Sequence, residues 1–178
     1  MTGRPLILLD IDGVCSPMCP ADQLDTTWTS WRRATCGWNK GWVPAALGPT
    51  LTALTMHTDI WWCSGWESEA HRYGTELGVP HWPYIPILNS PDADMFKLPS
   101  VIAQVGERPV WWFDDEHNPA STQWAAHRTA TGIPTVAANI DSRRGLHPEN
   151  LAAAANWAYR ISQEPHRRHP NRAPAAGN

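Results

Sequence analysis

The chain has 178 residues and a formal net charge of −3, which is enough for one domain with a real core and too little for a second large one. Near-neutral charge excludes the broad basic stripe of a protein that grips duplex DNA, and leaves a nucleic-acid substrate only as a local contact. Twelve tryptophans, against roughly two or three in an average domain of this size, are the compositional oddity.

The four cysteines, Cys15, Cys19, Cys36 and Cys63, form no C-x-x-C pair, so reduced and partly buried thiols are expected rather than structural zinc. Neither a charged leader nor an apolar run of membrane-spanning length opens the chain, and the expectation is a cytoplasmic protein with no membrane association.

The first predicted element is the apolar run Leu6–Asp10, a strand buried on both faces. It leads into "DIDGV", where Asp10 and Asp12 flank one residue and Gly13 follows. Aspartates are poor strand formers and costly to bury unpaired, so something positive is expected beside them. The next interval, Cys15 to Val43, is polar and contains "WTSWRRATCGWNKGW". Its Trp28, Trp31, Trp38 and Trp42 are candidates for a cleft wall, and Trp28, Trp31 and Trp38, with Trp66 beyond the interval, offer stacking faces to a nucleotide beside the charges of Arg32, Arg33 and Lys40, against the plainer expectation of packing tryptophans beside solvated charges.

A helix is predicted over 44–55, a strand over Thr58–Cys63, and a helix over 68–77. Between strand and helix stands "WWCSGWE", which offers the Ser64 hydroxyl and the backbone at Gly65 and Trp66. Farther on, Trp82 is another candidate for a stacking face. Lys97 then precedes a helix over 99–105, in "FKLPSV". The strand Val110–Phe113 runs into Asp114, Asp115 and Glu116; a helix over 122–131, a strand over Thr135–Ala138 and a helix over 148–161 complete the pattern. From Gln163 the composition turns to proline, arginine and small residues, and 163–178 reads as a disordered tail behind a single domain, 1–162.

Strands alternating with helices, without hairpin signals of the Asn-Gly kind, indicate an α/β fold: a Rossmann-like three-layer sandwich with a central parallel sheet. Ligands of such sheets bind beyond the carboxyl ends of the strands. There the sequence gathers Asp10, Asp12, Ser64, Asp114 and Asp115, with Lys97 from a helix start. Carboxylates this close repel unless a hard cation sits among them, and oxygen-only donors suit Mg²⁺. The hydroxyl, the ammonium and free backbone N–H groups make a cradle for phosphate. The scattered histidines, His117 nearest the acidic pair, read as surface or capping residues.

In order along the chain, "DIDGV", the serine of "WWCSGW", the lysine of "KLPS" and the acidic pair of "WWFDDE" resemble the four motifs of the haloacid dehalogenase-like (HAD) phosphohydrolase superfamily. Within it, the pattern is similar to the small actinobacterial and phage HAD domains of Swiss Army Knife RNA-repair proteins.

The resemblance implies a Mg²⁺-dependent phosphatase acting through an aspartyl-phosphate. Asp10 would be nucleophile and metal ligand; Asp12 would be acid, then base, with its backbone carbonyl on the metal. Ser64, Gly65 and Trp66 would hold the substrate, and Lys97 would neutralise charge. Asp115 would be the remaining metal ligand, with Asp114 behind it orienting water or Lys97; the reverse assignment stays open. The two intervals between motifs hold roughly thirty residues each, so a cap is small or absent, and an open cleft favours a nucleic-acid end or a nucleotide as substrate. A small-metabolite phosphatase, a phosphotransferase and a catalytically silent binding protein on the same fold are the alternatives.

Overall fold

A computed structural model describes residues 3–36, 41–88 and 96–167, with side chains described as far as 163. Its centre is a four-stranded parallel sheet in the order β4-β1-β5-β6, from β1 (Leu6–Leu9), β4 (Asp59–Trp62), β5 (Val110–Asp114) and β6 (Thr135–Asn139). Strand β1 is central because all four of its residues are apolar and both faces are covered. Its register sets Leu9 beside Trp62 on one side and Phe113 on the other, so the three strands end level.

Alternation along the strands separates two apolar layers. Ile7, Leu9, Ile60, Trp62 and Phe113 share one core with helices α1 (Leu47–Leu54), α2 (Ala70–Leu77) and α5 (Pro148–Arg167). Leu6, Leu8, Val110 and Trp112 pack on the other side against α3 (Leu98–Val105), with Trp124 of α4 (Pro119–Ala130) at its margin. The architecture is the three-layer α/β sandwich with a parallel sheet expected from the sequence. Among the described residues, no helix is long and apolar enough to cross a membrane.

Two departures have physical causes. An antiparallel pair, β2 (Trp31–Arg33) and β3 (Trp42–Pro44), stands apart from the main sheet. Its connection is too long to carry a two-residue turn signal, and its strands are three residues each, so pattern reading passes over it. Helix α5 runs to Arg167, so residues 163–167 belong to the helix rather than to the tail. The apolar spacing that marks a helix in the sequence stops near Ile161, while the helical backbone continues past it. Residues 168–178 lie outside the described residues.

Candidate active site

The chain leaves β1 at Asp10 and at once folds into a tight turn. The Ser16 N–H returns to the Ile11 carbonyl at 2.9 Å, and the Gly13 N–H reaches the Ser16 carbonyl at 2.9 Å. Gly13 has φ +70°, a left-handed conformation that glycine adopts without strain. This turn keeps Asp10 and Asp12 at the same sheet edge. It is tied to the loop after β6, where the Leu146 N–H donates to the Val14 carbonyl at 2.8 Å.

Three neighbouring elements aim their ends at Asp10. Ser64 follows β4 and is buried, Asp114 closes β5, and Lys97 sits at the N-terminal cap of α3, buried at 6 % exposure. Lys97 Nζ donates to Asp10 Oδ2 and, at 2.8 Å, to Asp114 Oδ2. One ammonium therefore bridges two buried carboxylates, the positive partner that two strand-end aspartates require. The second oxygen of Asp10 accepts the Ile11 N–H at 2.7 Å.

Asp114 accepts from three protein donors. Besides Lys97, the Trp112 indole N–H donates to Oδ2 at 3.0 Å and the Glu116 N–H to Oδ1 at 3.0 Å. Asp115 is half-buried, and no described side chain donates to its carboxylate. Carboxylate oxygens of Asp10, Asp114 and Asp115 lie within 4.8 Å of one another. Burial pushes the Asp10 carboxyl up to about 7, against the opposing pull of Lys97. Burial likewise raises Asp115. For Lys97, burial works toward a lower pKa, but the facing carboxylates of Asp10 and Asp114 outweigh it and the ammonium is stabilised. An all-oxygen set with this much charge to offset fits a hard divalent cation.

Asp12 is placed differently: it stands at the rim, and its Oδ2 accepts the Trp66 indole N–H at 2.7 Å. Trp66 thus meets an acidic side chain rather than presenting a free face. Gly65 is exposed, and Phe96, 45 % exposed, stands 3.6 Å from where a β-carbon on Gly65 would lie. An aromatic face thereby borders the open backbone at the site, a neighbour that spacing along the chain did not reveal.

Most of the other aromatic candidates are used in packing. Trp28 is buried with its indole N–H on the Leu146 carbonyl at 2.8 Å, and Trp31 donates to the Asp25 carbonyl at 3.0 Å. Trp82 is buried against Trp62. Arg32 is bound to Glu76, and Arg33 lies over the Trp42 ring. Trp38 and Lys40 lie outside the described residues. His117 spans the Trp112 carbonyl and the Ser121 hydroxyl at the start of α4, in a bracing position. All four cysteines are free thiols.

Two supporting residues escaped sequence reading. Trp112 sits two residues before Asp114 on the same strand face, a spacing visible only once the strand is assigned. Glu67 has a left-handed backbone, φ +47°, and its carboxylate accepts the Ile87 N–H at 2.8 Å, anchoring the turn that carries Ser64 and Gly65. Compared with protein-family models, curated proteins and solved structures, the chain matches none.

Proposed function

We propose that the protein is a Mg²⁺-dependent phosphomonoesterase of the HAD type, working through an aspartyl-phosphate on Asp10. The observation that carries this reading is the Lys97 bridge between Asp10 and Asp114, with Asp115 beside them, at the carboxyl edge of a parallel sheet. A buried salt bridge for stability alone needs one acid per base. Two acids on one lysine, with a third acid beside them, leave negative charge that a cation would offset.

The residues present fit Mg²⁺: Asp10 and Asp115 would hold it, with the Asp12 carbonyl. When bound, the ion would offset the charge of the phosphoryl oxygens. Asp114, whose Oδ2 already accepts from both Lys97 and Trp112, is better suited to orienting Lys97 than to metal binding.

A carboxylate oxygen of Asp10 attacks phosphorus as the ester P–O bond breaks, and the leaving oxygen takes a proton from Asp12. Water then attacks the acyl phosphate, giving its proton to Asp12; phosphate leaves and the Asp10 carboxylate is restored. Ser64 and the Gly65 N–H would hold the non-bridging oxygens, and Lys97 would stabilise their charge. A nucleotide or nucleic-acid end is the favoured substrate, on the strength of the exposed Phe96 face beside Gly65. The protein is taken to act in the cytoplasm.

The test is hydrolysis of 4-nitrophenyl phosphate with Mg²⁺, with EDTA, and by the Asp10→Asn variant. Phosphate release that needs both Mg²⁺ and Asp10 supports the reading. Release that survives Asp10→Asn, or none from the wild type across aryl, nucleoside and alkyl phosphates, overturns it.

A further inference from the structure

Asp12 has to hold a proton, surrender it to a leaving oxygen, and then collect one from water. A carboxyl group has two chemically equivalent oxygens, and a free side chain at a rim would present either one. In this structure the choice is made by a neighbour. The Trp66 indole N–H donates to Oδ2 at 2.7 Å, and among the described residues no donor reaches Oδ1.

An indole N–H donates and never accepts, and it keeps its proton throughout the working pH range. It can bond Oδ2 whether Asp12 is ionised or neutral, and in the neutral acid, where the carbonyl oxygen is the better acceptor, it favours the proton on Oδ1. We propose that Trp66 is a positioning residue for Asp12, holding Oδ2 so that the transferred proton travels on Oδ1. This rests on the acid–base reading of Asp12 given above.

The indole is itself well braced. Its ring meets Tyr73 edge-on, with centroids 5.8 Å apart at 67°, and Tyr73 is a buried residue of α2. Its backbone carbonyl accepts the Glu69 N–H at 2.9 Å. Ser64, two residues earlier, belongs to the same turn. The segment 64–66 therefore connects the phosphate cradle with the proton carrier, and the distance between them is set by one short, anchored piece of chain rather than by two independent loops.

In the first half-reaction the proton moves from Asp12 Oδ1 to the leaving oxygen as its bond to phosphorus breaks. In the second, Oδ1 receives a proton from the attacking water. Trp66 gives up nothing in either step, so its contribution should appear only where proton delivery limits the rate.

The decisive experiment compares wild type with Trp66→Phe, which keeps a ring against Tyr73 and removes the N–H. It measures kcat/KM for methyl phosphate and 4-nitrophenyl phosphate in Mg²⁺. kcat/KM covers only the steps up to the phospho-enzyme, and a nitrophenolate leaves with little need of a proton. The expected result is a fall of about tenfold or more on methyl phosphate and less than about twofold on the aryl ester.

In an Asp12→Asn background the same substitution should have no further effect. An equal fall on both substrates, or no change on either, overturns the inference while leaving the phosphatase reading intact. A wild type inactive on both removes that reading and this inference with it. If Trp66→Phe fails to fold, Trp66→Tyr keeps a packed ring, displaces the donor and carries the same expectation.

Discussion

Gly13 and Asp115 touch across the end of β1: a β-carbon built on Gly13 would stand 2.2 Å from Asp115 Oδ2. The contact couples the turn after β1 to the acidic end of β5 through an atom that is missing from only one amino acid. Gly13→Ala removes no functional group. It is nevertheless expected to abolish turnover by displacing Asp115, and to cost about 1 kcal/mol or more through its backbone conformation alone. Activity and urea denaturation of the same preparation measure the two effects separately; an active Gly13→Ala enzyme would show that Asp115 need not stay where it is.

Lys97 is expected to be the least replaceable residue of the site. Lys97→Met keeps the length and apolar stem but leaves the Asp10 and Asp114 carboxylates facing each other in a buried place. A loss of about 3–5 kcal/mol in unfolding free energy is expected from an uncompensated buried charge. Turnover should fall on the order of a hundredfold or more in whatever fraction folds. Denaturant titration and initial rates at matched folded concentration decide it.

Phe96 is exposed at the site edge beside Gly65. If the leaving group carries a base, Phe96→Ala should lower kcat/KM for a 3′- or 5′-phosphorylated oligonucleotide or a nucleoside monophosphate about tenfold, in line with the loss of one stacked base. Methyl phosphate should be hydrolysed as before. A parallel fall on both would assign the ring to folding of the site, and no fall on either would point to small metabolites.

The stacked rings of His71 and His81, 3.6 Å apart and 17° from parallel, define a pH dependence away from the site. Burial lowers the pKa of His71, and the facing His81 lowers it further. A histidine depressed in the folded state contributes stability above its unfolded pKa and loses it as pH falls. Wild type should therefore lose Tm between about pH 7 and pH 5 more steeply than His81→Gln, as followed by thermal denaturation across that range.

The sheet was legible because strands buried on both faces must be apolar throughout. Leu6–Leu9 and Val110–Phe113 announce themselves, and their carboxyl ends locate Asp10, Asp114 and Asp115. The spread of tryptophans was not legible in the same way. "WTSWRRATCGWNKGW" looks like an open aromatic face, yet Trp28 and Trp31 spend their indole N–H groups on backbone carbonyls and their rings on packing. Composition counts aromatic surface without telling which side of it meets solvent. The link from Trp66 to Asp12 spans fifty-four positions and obeys no local period, so only the folded chain exhibits it.

Trp112 donates its indole hydrogen to the carboxylate that steadies Lys97, on the strand that delivers the acidic pair. A fluorophore is thereby wired into the centre's electrostatics. Titrating the protein with a divalent ion and subtracting the spectrum of Trp112→Phe isolates that one emitter from the other eleven. If the proposed cation binds beside Asp114, that emission would gauge its occupancy without a label, a coupled assay or a known substrate.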